Sequence, residues 1–166
     1  EKGPGIDLFK CMKYCLGDRR VIAEDLGFMT DSVRQLVKES GFPNMKVLEF
    51  AFDARDTGAA ADYLPHNYNN NCVVYTGTHD NETLQGWFKS ISPVEIEMVR
   101  DYLYAPKTPL QELHKPMINT AMASVAATCI IPLQDYLGLD NSARTNKPST
   151  VGQNWRWRVD AKALTP

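Results

Sequence analysis

Four short apolar runs constrain this chain more than any other feature: Val21–Ala23, Val47–Phe52, Val73–Tyr75 and the run "TCIIPLQDYLG" from Thr128 to Gly138. Each is nearly continuous in apolar residues, the pattern of a parallel strand buried on both faces rather than of a half-solvated antiparallel one. Helix-period segments separate them. "GIDLFKCMKYCLGD" carries Ile6, Phe9, Met12 and Leu16 at helical spacing, with Gly17 placed to end the helix. Thr30 caps a helix bearing Val33, Leu36 and Val37 on one face, ended by Gly41. Ser92-Pro93-Val94-Glu95 is a capping box with proline at the first helical position, so a helix runs on to about Tyr104. A further helix fills 110–127 and is kinked or begun again near Pro116, which lacks an amide donor. The stretch after Asp140 reads as loop with a short ordered end, and no internal repeat is present. Strands alternating with helices make parallel βαβ units and an α/β fold. Four strands fit a small open sheet or part of a (β/α)8 barrel, which needs eight strands and about 250 residues. Pattern alone leaves both open.

Composition narrows the partner. The 166 residues are 43% hydrophobic and 23% charged, with a net charge of −2. No basic run offers a footprint for nucleic acid or for a membrane surface, and no apolar run approaches the ~18–20 residues that span a bilayer. A neutral or mildly polar small molecule fits best. Glu1, Lys2, Gly3 and Pro4 read neither as a signal peptide nor as a natural start. Cys11, Cys15, Cys72 and Cys129 have neither zinc nor C-x-x-C spacing, which predicts reduced thiols and a cytoplasmic protein.

Polar residues collect where the apolar runs end. Glu24 and Asp25 follow the first, Phe50 to Asp53 close the second, His79, Asp80 and Asn81 follow the third, and Gln134 and Asp135 the fourth. In barrels and open α/β sheets that edge binds ligands. With the first three runs as neighbours, Glu24 and Asp80 stand two strands apart, roughly 10 Å between backbones. That gap holds one sugar ring, and carboxylates flanking one bond are the equipment of glycosidic chemistry. A site for a divalent metal on Glu24, His79 and Asp80 lacks the usual ligand spacing. The loop from Asp53 to Asn71 is too long for mere connection and offers Tyr63, His66, Asn67 and Tyr68 as flat or hydrogen-bonding groups suited to sugar. Trp87 and Phe88 read as core, Trp155 and Trp157 as core or site, and the Asn81-Glu82-Thr83 sequon as chance.

The segments "IAEDLG", "GFPNMKVLEFAFD", "YLPHNY", "VVYTGTHDNET", "PLQDYLGL", "ARTN" and "NWRWR" occur here in that order. Together they resemble the 4-α-glucanotransferases, also called amylomaltases or disproportionating enzymes, family 77 of the glycoside hydrolases within the α-amylase clan. The resemblance implies a (β/α)8 TIM barrel of which this chain is the C-terminal portion, one segment over 1–166 carrying barrel strands five to eight in about four βα units. It implies transfer of α-1,4-glucan segments between maltodextrins, with glucose or a glucan as acceptor, by a retaining double displacement needing no cofactor or metal. It implies that Glu24 is the general acid/base, that Asp80 is the carboxylate binding hydroxyls of the distorted donor sugar, and that His79 contacts the same sugar. Asp25 and Asn146 resemble donor-site positions, and Phe50 an aromatic near the acceptor. The family's aspartate nucleophile, in an R-x-D-H context, has no match here, so the chain alone is expected to be inactive. An α-1,4-glucan hydrolase of the same clan and a non-catalytic maltodextrin-binding fragment are the alternatives.

Overall fold

The computed structural model describes residues 3–27, 29–55 and 58–164; Glu1 and Lys2, read above as no natural start, lie outside the described residues. Three strands form one parallel sheet in the order β1 (Asn44–Val47), β2 (Cys72–Tyr75), β3 (Thr128–Ile130). Asn44 pairs with Cys72 and Val47 with Tyr75, while Val73 pairs with Thr128 and Tyr75 with Ile130. The α/β class and the parallel pairing agree with the sequence. The first expected strand does not form as a ladder. It contributes one parallel bridge, Ala23 to Asn44, closed by the Ala23 amide donating to the Pro43 carbonyl at 2.9 Å. Two residues on, the Asp25 carboxylate accepts from the Met45 amide at 2.9 Å and from the Asn44 side chain at 3.1 Å. A side chain thus takes the donor that a second backbone rung would have used. The neighbour order is still the expected one, with the Ala23 segment beside β1.

Two other strands are shorter than expected. The run Val47–Phe52 leaves the sheet at Val47 and becomes a 3₁₀ turn, Leu48–Phe52, with Leu48, Ala51 and Phe52 buried. A continuous apolar run carries no period, so burial alone could not separate strand from turn. After β3, Pro132 offers no amide to the sheet and opens a short helix, α6 (Leu133–Tyr136).

The helices follow their local signals. α1 (Ile6–Leu16) stops at Gly17, whose φ of 71° is left-handed. In α2 (Asp31–Ser40) the Thr30 hydroxyl accepts from the Val33 amide, and Gly41, at φ 71°, donates to the Lys38 carbonyl. α3 (Leu84–Ser90) is capped by Thr83, and α4 (Pro93–Tyr102) by the full Ser92–Glu95 box. The 110–127 region divides as the proline suggested. A 3₁₀ turn, Leu110–Glu112, precedes α5 (His114–Met122), and Pro116 falls in the first turn of α5, where no amide is needed.

Alternation along β2 sorts its side chains between two environments. Cys72 and Val74 point into a core with Leu48, Phe52, Leu84, Phe88, Val99, Leu113, Met117 and Ala121, all nearly or fully buried. Helices α3, α4 and α5 supply most of that layer, and Phe88 is core as expected, with Trp87 packed against it. Tyr75 points the other way, into a cleft at the C-terminal ends of the strands. Among the described residues no helix is long and apolar enough to cross a membrane.

Candidate active site

The cleft has a volume of about 870 Å³, within the range of small-molecule sites. Glu24 enters it from the Ala23 segment, Phe50 from the 3₁₀ turn after β1, and Tyr75 from the end of β2. His79, Asp80 and Asn81 come from the turn that follows, and Gln134 and Thr145 close the far side. Residues from four successive strand ends, Glu24 and Asp80 among them, therefore do share one concavity. Burial first, and then the Glu24 charge, push the Tyr75 hydroxyl above its ordinary value.

The Gly77–Asn81 turn is built from its own side chains. The Asn81 side-chain oxygen Oδ1 accepts from the Thr78 amide at 2.9 Å and from its hydroxyl at 2.7 Å, and the Thr78 hydroxyl accepts from the Asp80 amide. This Asx-type folding makes the stretch a real turn, and it commits Asn81 and the capping Thr83, both members of the sequon. Asp80 nonetheless projects outward, its side chain half exposed. The Asn146 side-chain amide donates to Asp80 Oδ1, the His79 Nε2 lies 3.4 Å from the same oxygen, and the Asn146 backbone N–H donates to the His79 carbonyl.

Arg144 completes the clamp. Its guanidinium donates to the Asp80 carbonyl at 2.7 Å and to the Asn146 carbonyl at 2.8 Å, fastening the turn to the 144–146 segment. Arg144 was not among the sequence candidates, although "ARTN" sets it two residues from Asn146. Trp155 is the other addition. Its ring centroid lies 5.0 Å from that of His79, its backbone donates to the Thr145 carbonyl, and it is 58% exposed. It holds a φ of 65°, a left-handed conformation that costs a non-glycine residue of order 1–2 kcal/mol. The ambiguous tryptophan thus lies at the site.

Other candidates are placed differently. Asp25 directs both carboxylate oxygens to β1, as described above, and so braces the Glu24 backbone from behind. Phe50 stands at the rim, edge-on to Tyr63 at 5.4 Å. Of the long-loop residues expected to face sugar, three are used internally. Tyr68 is buried and donates to the Tyr63 carbonyl at 2.6 Å, Asn67 donates to the Ala61 carbonyl, and His66 pairs with the Tyr102 hydroxyl. The loop is not structureless either, since Ala60–Tyr63 and Pro65–Asn67 are 3₁₀ turns. Asp135 is also withdrawn from the edge. It is 1% exposed, accepting from the Thr76 hydroxyl at 2.6 Å and the Leu84 amide at 2.8 Å, and burial raises its carboxyl above the usual range. Among the described residues, no group of three or more His, Cys, Asp or Glu side chains is gathered as a metal site.

A parallel α/β segment whose strand ends bring acids, a histidine and aromatic residues into one cleft has the ligand-binding edge of a barrel or open-sheet α/β protein. The family model of glycoside hydrolase family 77, described as 4-alpha-glucanotransferase, matches residues 1–163, and the chain belongs to that family. It is 43% identical to the 4-alpha-glucanotransferase of Clostridium butyricum over 99% of this chain and 33% of that protein. It is 46% identical to that of Synechocystis over 97% of this chain and 31% of the relative. An amylomaltase from Streptococcus agalactiae, solved in complex with acarbose, superposes with a TM-score of 0.87 at 38% identity, over 99% of this chain and 32% of that one. The chain thus spans about a third of the length of the curated relatives it matches.

Proposed function

We propose that the protein containing this chain is a 4-α-glucanotransferase, and that residues 1–166 form a single segment, the C-terminal half of its (β/α)8 barrel. One observation carries the reading. Glu24 and the braced His79–Asp80 pair line the same cleft from strand ends that are two strands apart. In this reading Glu24 donates a proton to the glycosidic oxygen as the α-1,4 bond breaks. A carboxylate from outside these 166 residues takes the anomeric carbon, conserving its configuration in two inversions. Asp80, aimed by Asn146 and backed by His79, accepts hydrogen bonds from donor-sugar hydroxyls and stabilises the oxocarbenium-like transition state. Asn146 completes the donor side by holding Asp80, Asp25 supports it by tying the chain after Glu24 to β1, and Phe50 gives the acceptor an apolar face. Glu24 then removes the proton from the 4-hydroxyl of a maltodextrin or glucose acceptor, which attacks the held segment. Free thiols at Cys11, Cys15, Cys72 and Cys129 support a reducing, cytoplasmic setting.

The test is product analysis on the full-length protein with maltotriose. The expected products are glucose and longer maltodextrins at a constant number of reducing ends; a rising number would replace transfer with hydrolysis. Glu24→Gln is expected to lower kcat by about 10²–10⁴-fold, the scale of general acid–base catalysis, with the thermal midpoint unchanged. Near-normal turnover in that variant would refute the acid/base role.

A further inference from the structure

Glu49 is an ionisable group that the transfer reaction above leaves unused, and its surroundings are unusual. It sits in the 3₁₀ turn after β1, is 5% exposed, and its Oε1 is the buried side-chain oxygen left without a hydrogen-bond partner among the described residues. Its backbone amide donates to the Thr76 carbonyl at 3.1 Å, so the residue is fastened to the chain leaving β2. Its carboxyl then lies directly behind the turn that presents the site. A Cβ added to Gly77 would meet Glu49 Oε1 and Asn81 Cβ, each at 3.1 Å, so Gly77 lets the two segments close on one another.

Charge argues for an uncharged group. Facing the carboxyl are Asp135 of α6 and Glu82 of the segment before α3, both acids. Arg144, at the end of the 141–143 turn, and the Asn81 side chain act in the opposite sense. The Arg144 guanidinium is already committed to the Asp80 and Asn146 carbonyls and stands 3.8 Å from Glu82. A buried carboxylate with an orphaned oxygen and two acidic neighbours is far costlier than the neutral acid. Burial, the larger effect, and the neighbouring acids both hold the carboxyl well above its ordinary range.

We propose that Glu49 is a positioning residue that fills the space behind Gly77 and Asn81 as an uncharged carboxylic acid, and so sets where His79 and Asp80 enter the cleft. The catalytic consequence rests on Asp80 as the sugar-binding acid; the charge state and the positioning do not. An uncharged group of the same shape should serve equally well, which makes glutamine the decisive substitution.

The experiment compares wild type, Glu49→Gln and Glu49→Ala in the full-length protein. Three readouts are taken: maltotriose transfer, His79 imidazole NMR signals without substrate, and the infrared difference between wild type and E49Q at neutral pH. E49Q is expected to keep kcat within about threefold and to leave the His79 signals in place. E49A is expected to shift those signals and to lose about 10- to 100-fold in kcat with a smaller change in KM, the penalty for a displaced catalytic group. The infrared difference should show a carboxylic-acid carbonyl band. An acid held above its unfolded value withdraws stability as pH rises, so the wild-type thermal midpoint should fall relative to that of E49Q as pH is raised above the unfolded carboxyl value of about 4.3. A carboxylate band, an E49Q as impaired as E49A, or an E49A with unmoved His79 signals would overturn the proposal. Should E49A fail to fold, the band and the E49Q comparison still decide. Absence of transfer in wild type would instead count against the proposed activity and leave the spectroscopic answers standing.

Discussion

Asp80 shows how a single carboxylate is made useful. Half exposed, it owes its aim to partners far away in the chain: the Asn146 side chain on Oδ1 and the Arg144 guanidinium on its carbonyl. A hydrogen bond to a charged acceptor is worth about 1.5–3 kcal/mol. At an exposed group most of that shows in orientation rather than in stability. Asn146→Ala should therefore lower kcat for maltotriose transfer about tenfold while moving the thermal midpoint by no more than about 4 °C. Unchanged steady-state kinetics in a folded variant would remove Asn146 from the site. The pairing of His79 with Trp155 belongs to the same scale. The local sequence placed the histidine, but the tryptophan's left-handed backbone and its approach to the imidazole depend on the fold of the last loop.

Among the elements, α4 has the most complete end. Glu95 Oε2 accepts from the Ser92 amide at 2.7 Å, and Oε1 accepts from the Ala54 amide at 3.2 Å. The capping box therefore ties the helix to the chain leaving the 3₁₀ turn after β1. The Ser92 backbone donor, the largest influence, holds the Glu95 carboxyl below its ordinary range, assisted by the Ser92 hydroxyl and by Ala54. Because the folded value lies below the unfolded one, this stabilisation is complete above the unfolded value of about 4.3. It is lost as pH falls through the folded value. Glu95→Ala should cost about 1 kcal/mol at neutral pH, with the two unfolding curves converging in acid. A difference that persists undiminished at low pH would mean that packing, not the ionised cap, is responsible. This box was legible because Ser-x-x-Glu is local. The end of β1 was not, because Val47 and Leu48 are both apolar and only their neighbours distinguish strand from turn.

At the scale of the molecule, the sheet is open. Among the described residues β3 and the Ala23 segment have no strand on their outer sides, and Ile22 and Ile130, both lining the cleft, are each 42% exposed. Unpaired edges and exposed apolar side chains invite association. Among the described residues the acids lining the cleft are Glu24 and Asp80, and in the proposed reading neither is the nucleophile that a retaining mechanism sets about 5–5.5 Å from its acid/base. The isolated 166-residue chain should accordingly show no maltotriose transfer and should associate as its concentration rises, measured by product chromatography and light scattering. Glucose and longer maltodextrins formed by the isolated chain would sink the half-site reading.

The sequence by itself determined the family, the α/β class, the helix caps at Thr30 and Ser92, and the order in which polar residues meet the strand ends. These rest on local chemistry or on ordered motifs, and neither requires knowing what packs where. Only the tertiary structure decided what each acid does. Asp80 faces the cleft, Asp25 closes a gap in the pairing beside β1, Asp135 is buried under Thr76 and Leu84, and Glu49 lies behind Gly77. All four sit near the end of an apolar run and look alike in sequence. Their difference comes from partners up to 66 residues away, as with Asn146 on Asp80, and from which groups lose water when the sheet and helices close.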